Sequence, residues 1–112
     1  PPRSTLFPYT TLFRSALFYV SGLTFDQFST DRRNVDAVSY AIVVIGEAAG
    51  QIPDAVTQAA PEIPWADIRA MRNRVAHEYF GIDLQVLWET VIEDLPQLKP
   101  AFRALLERND LP

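Results

Sequence analysis

Residues 31–52 read DRRNVDAVSYAIVVIGEAAGQI. Val35, Val38, Ile42, Ile45, Ala49 and Ile52 recur in steps of three and four, which places them on one face of a helix. Val43 and Val44 widen that face and make this the central helix. Asp31 stands where a side-chain cap is needed, and Pro53 cannot continue the helical hydrogen-bond ladder.

Towards the N-terminus, Thr24 and Gln27 have capping-box spacing and open a short turn carrying Phe25 and Phe28. Ala16 to Ser21 reads as the last turns of a helix closed by Gly22. On the other side, residues 54–60 form a short helical linker, and Pro61-Glu-Ile-Pro64 is expected to be a rigid extended connection. Pro64 suits the first position of a helix through Trp65, Ile68, Met71 and Val75 to about Phe80, stopped by Gly81. Asp83 caps a last long helix whose apolar line is Leu84, Leu87, Val91, Leu95, Leu98, Phe102 and Leu105. Pro96 and Pro100 interrupt it, so a kink or restart is expected near Leu95. No strand alternation and no repeat of domain scale is present. The expected fold is all-α, an up-and-down bundle of four to five helices.

The chain has 112 residues, 48% of them hydrophobic, which bounds it to one globular domain. No apolar run approaches the roughly 18 residues of a membrane helix. With no cysteine, disulfides and thiolate metal sites are excluded, and a reducing compartment such as the cytosol fits. The net charge of −4 is the wrong sign for bulk electrostatic binding of nucleic acid, so any such activity needs a local basic patch or a partner.

Residues 1–15, PPRSTLFPYTTLFRS, stand apart: they hold no acid and contain TLF twice. Pro8 breaks the apolar stretch, and no small-residue cleavage site follows, against a signal peptide. The string resembles one reading frame of a sequencing-library adapter, so 1–15 is expected to be a non-native segment. The domain is then residues 16–112, lacking most of its first helix. Without Arg3 and Arg14, eight basic residues face fourteen acids, a net −6.

Chemistry concentrates in residues 69–80, RAMRNRVAHEYF. At 100° per residue, Arg69, Asn73 and His77 stack along one line, Arg72 and Tyr79 along a neighbouring one, and Met71 and Val75 face the core. Guanidinium, amide, imidazole and phenol are thereby expected at one cleft. Arginine suits phosphate through its forked donors, and imidazole moves protons near neutral pH. The same spacing fits an ordinary exposed helix, with Arg72 paired to an acid such as Glu47 and His77 as a C-terminal cation.

The string Arg72-Asn73-x3-His77-x-Tyr79 resembles the R-x4-H-x-Y motif of HepT toxins, a branch of the HEPN superfamily. Ile45-Gly-Glu-Ala48, Pro61-Glu-Ile-Pro-Trp65, Tyr79-Phe-Gly-Ile-Asp83 and Glu93-Asp-Leu-Pro96 also follow that family in order and spacing, over roughly Val20 to Leu106.

The resemblance implies a homodimeric toxin that cuts RNA without a metal or other cofactor and is neutralised by a minimal nucleotidyltransferase antitoxin. It assigns Arg72 to the charge on the attacked phosphate and His77 to proton transfer for the ribose 2′-hydroxyl, leaving a cyclic phosphate. Asn73 would orient His77 or the phosphate, and Glu47 is the supporting acid beside Arg72. Tyr79 would receive AMP from the antitoxin, which places negative charge beside the RNA-binding arginines. A single histidine per chain does not easily serve both proton transfers, and a dimer that brings two His77 residues together would supply both, which favours a homodimer. The competing expectation is a non-catalytic helical module that only binds the nucleotidyltransferase.

Overall fold

The computed structural model describes residues 14–108, 110 and 111. The expected non-native segment therefore lies outside the described residues, apart from Arg14 and Ser15, which are helical and continuous with Ala16. Among the described residues, seven α-helices run in order: α1 (14–20), α2 (Phe25–Ser29), α3 (Arg32–Gly50), α4 (Asp54–Ala59), α5 (Trp65–Glu78), α6 (Leu84–Glu89) and α7 (Leu95–Glu107). A 3₁₀ turn, Tyr79–Gly81, extends α5, and a π-helical turn, Thr90–Asp94, joins α6 to α7. No strand occurs among the described residues, and none of their helices is long and apolar enough to cross a membrane.

Local chemistry accounts for most boundaries. Gly22 takes φ +75°, the left-handed conformation that closes α1 without a side-chain penalty. Thr24 and Gln27 exchange both capping-box hydrogen bonds. The Asp31 carboxylate accepts the Asn34 backbone N–H at the start of α3, and Asp83 does the same for Gln85 at α6. Within α3, Val35, Val38, Ile42, Ile45 and Ala49 are buried, and Ile52 is buried just beyond it.

Two connections differ from expectation. Pro64 sits at the N-cap of α5 rather than its first helical position, with φ −79° and ψ 72°. Trp65 N–H donates to the Ile63 carbonyl at 2.8 Å, so Pro64 centres an inverse γ-turn. The 61–64 connection is thus bent: Ile63 N–H closes one turn onto the Ala60 carbonyl at 3.2 Å, Pro64 centres the next, and Ile63 and Trp65 are both buried in the core. Near Leu95 the chain restarts through a π-turn: Leu95 N–H reaches back five residues to the Thr90 carbonyl. Pro96 has no N–H to give the Ile92 carbonyl, and its ring would crowd that oxygen, so a widened turn absorbs the conflict. Pro100 is carried inside α7.

The core joins α3, α5 and the α6–α7 arm around Phe28, Ile63, Leu87, Phe102 and Leu105. Packing is closest between α3 and α5, which run antiparallel: Arg72 meets Gly46 and Glu47, while Tyr79 meets Asp36.

Candidate active site

Three contacts along its length fix α5, the helix bearing the arginines and the histidine. At its start, the Trp65 indole N–H donates to the Ala60 carbonyl at 3.0 Å and the ring packs edge-on to Phe102, centroids 5.5 Å apart. At its middle, the stem of Arg72 lies across Gly46, where α3 has no side chain to obstruct it. At its end, the Tyr79 hydroxyl donates to the Asp36 carboxylate on α3.

Arg72 is the best-held polar side chain of the helix. Its Nη2 pairs with Glu47 Oε1, and its Nη1 donates to Asn73 Oδ1 at 2.7 Å. Nε has no acceptor among the described residues. The side chain keeps 30% of its surface, so the guanidinium is oriented yet reachable. Arg69, Arg72 and Asn73 from α5 meet Gly46, Glu47 and Gly50 from α3, with Gln51 just beyond it, around an open groove of about 270 Å³. A larger groove of about 620 Å³, with Ile68, Met71 and Leu98 in its wall, holds none of the site residues.

The expected single cleft for all four groups is divided in the structure. Arg72 and Asn73 share the groove. Tyr79 lies further along α3, and His77 is exposed with no hydrogen-bond or ion-pair partner among the described residues. Helical geometry explains the division: five residues turn the chain about 500°, leaving His77 roughly 140° round from Arg72. Seven residues bring Tyr79 back within about 20° of Arg72, so those two share the face that α3 covers. Asn73 is engaged by Arg72 and not by His77.

The surroundings of Tyr79 were not anticipated from the sequence. Arg32 places its guanidinium carbon 4.9 Å from the Tyr79 ring centroid and pairs with Asp36 through Nε at 3.0 Å. The hydrogen bond to Asp36 holds the phenol above its ordinary pKa, with desolvation adding to the effect and the nearby Arg32 charge opposing it. Arg32 and Asp36 are one turn apart on α3, a spacing that marks an ion pair but does not say which ring lies beneath it.

The described residues contain no group of three His, Asp or Glu side chains placed to hold a metal ion. A helical bundle that pins an Arg-Asn-x3-His-x-Tyr helix against a Gly-Glu step defines the HEPN-type class of nuclease-like domains. Family comparison is specific: residues 11–105 match the Ribonuclease HepT-like family, and the chain belongs to it. It is 43% identical over 83 residues to "Probable ribonuclease HepT" of Thermococcus cleftensis, covering 74% of this chain and 76% of that one. A relative from Caldanaerobacter subterraneus subsp. tengcongensis, carrying a provisional RNase name, is 30% identical over 89 residues, 80% of each chain. One from Methanocaldococcus jannaschii, similarly named, is 30% identical over 94 residues, 84% of this chain and 78% of its own. No solved structure matches.

Proposed function

We propose that the chain is the toxin of a toxin–antitoxin pair, a cytoplasmic, homodimeric ribonuclease that cleaves RNA without a metal and is neutralised by a minimal nucleotidyltransferase. What supports this reading most is Arg72, oriented by Glu47 and Asn73 in an open groove with one N–H of Nη1 and one of Nη2 left over, while Nε is buried. A guanidinium has five N–H donors, so two can be spent on orientation and others still meet phosphate oxygens.

In this reading the scissile phosphate docks at Arg72, which neutralises charge gathering on the non-bridging oxygens. His77 takes the proton of the ribose 2′-hydroxyl as that oxygen attacks phosphorus. A 2′,3′-cyclic phosphate forms, and the 5′-oxygen leaves with a proton. The proton donor is His77 of a second subunit, since each chain has one histidine. Asn73 holds the guanidinium rather than the imidazole. An exposed His77 fits a site completed by a second subunit. Two exposed aromatics supply apolar contact for one: Phe80, 96% exposed and three residues past His77, and Tyr40 on α3, 71% exposed.

Net negative charge makes RNA affinity depend on the local patch of Arg69 and Arg72. Nucleotidylation of Tyr79, on the same face of α5 as Arg72, adds phosphate charge and bulk that oppose RNA. The test is a digestion of RNA in EDTA with analysis of product ends, alongside sedimentation of the protein. Cyclic phosphate ends from a dimer are expected. Metal-dependent cleavage, or an intact dimer that binds the nucleotidyltransferase yet leaves RNA whole, would replace the ribonuclease reading with that of a binding module.

A further inference from the structure

Tyr79 shares the end of α5 with two charged groups that RNA cleavage does not use. Asp36 accepts the phenolic proton in a hydrogen bond, and Arg32 pairs with Asp36 at 3.0 Å while lying 4.9 Å from the ring centroid. A tyrosine needed only for packing would not require both an acceptor for its proton and a cation beside its ring. The hydroxyl lies at the surface, where a nucleotide can approach.

We infer that Asp36 and Arg32 prepare Tyr79 as a nucleotidyl acceptor: Asp36 is the general base for the phenol, and Arg32 neutralises the phosphate transferred to it. This rests on the reading of Tyr79 as the modified residue. Tyr79 Oη attacks the α-phosphorus of a nucleoside triphosphate, and the Oη–phosphorus bond forms. The bond from that phosphorus to the bridging oxygen breaks, and pyrophosphate leaves with its electron pair. The phenolic proton passes to Asp36 and from there to water. Protonation of Asp36 removes the negative partner of Arg32, so the guanidinium is released as the phosphodiester charge arrives beside it. The hydrogen bond that holds the phenol neutral and aimed before the reaction thus supplies the route for its proton during it.

The experiment follows transfer of label from α-labelled ATP by a minimal nucleotidyltransferase of the kind that pairs with this family, with the labelled residue mapped by mass spectrometry. Asp36→Asn is expected to slow transfer about 100-fold through kcat, with KM for the triphosphate little changed, and Asp36→Glu to recover part of the rate. Arg32→Gln, which leaves the Asp36–Tyr79 hydrogen bond possible, is expected to slow it about tenfold. Asp36→Ser carries the same test should the amide variant fail to fold. Labelling of Tyr79 at the wild-type rate in folded Asp36→Asn overturns the inference and leaves Tyr79 as the acceptor. A loss confined to KM also overturns it, because Asp36 then only assists docking. Label that persists in Tyr79→Phe, or a wild-type chain that takes none, refutes the acceptor reading and the inference with it.

Discussion

Gly46 and Arg72 touch where α3 and α5 pack most closely, and neither position tolerates the other's side chain growing. A Cβ built on Gly46 would stand 2.5 Å from Arg72 Cγ and closer still to its Cβ. Both neighbours sit on helical backbone, so relief requires the helices to part or the Arg72 stem to swing out of the groove. Gly46→Ala is expected to cost about 1–3 kcal/mol in a urea melt, despite alanine's better helix propensity, and to lower RNA cleavage. Unchanged stability and activity would mean that α3 and α5 are not this close.

Glu47 and Arg72 make an ion pair that is largely in water, with 51% and 30% of the side-chain surfaces exposed. Such pairs contribute little to folding, so Glu47→Gln should change stability by less than about 1 kcal/mol. In the proposed mechanism its effect falls on catalysis, because the guanidinium loses the carboxylate that aims it. A lower kcat with a nearly unchanged melt is expected from parallel cleavage and thermal measurements.

The phenol of Tyr79 is held above its ordinary pKa, chiefly by its hydrogen bond to Asp36. Since the folded value lies above the unfolded one, this stabilisation is complete below the ordinary phenol range. It fades as pH rises through the raised value. Ultraviolet titration, with Tyr79→Phe subtracted, should show one phenol ionising later than a free tyrosine. In Asp36→Asn that phenol should ionise earlier than in the wild type.

Trp65 anchors the start of α5 through one hydrogen bond and one ring contact. Trp65→Phe removes the indole N–H and leaves the Ala60 carbonyl with only the Ile63 N–H, 3.2 Å away, a loss of about 1 kcal/mol. Phe102→Ala removes the fully buried ring beneath it and should cost about 3–5 kcal/mol. Chemical denaturation measures both.

Features written by neighbours along the chain were legible in the sequence. The Thr24–Gln27 box, the Asp31 and Asp83 caps, and the buried face of α3 depend on residues two to four apart. The interruption near Leu95 was also visible, because Pro96 removes a donor wherever the helix lies; its form as a π-turn was not. Pro64 falls one position before the place its chemistry suggests, since consecutive turns closed on the Ala60 and Ile63 carbonyls bend the connection there. The Tyr79–Asp36 pairing spans 43 residues, and no local rule reports it. Gly46 did leave a signal: glycine in the middle of a helix costs about 0.5–1 kcal/mol against alanine, so something must need the missing side chain. Here that is the stem of Arg72.

The proposed metal-independent cleavage of RNA rests on Arg72 and His77. Its most direct test is cleavage of a defined RNA in EDTA by the purified wild type, Arg72→Ala and His77→Ala, with folding checked by circular dichroism. EDTA-resistant cleavage is predicted for the wild type, falling at least about 100-fold in each folded variant. Cleavage at the wild-type rate by either variant, or its loss from the wild type on adding EDTA, would contradict it.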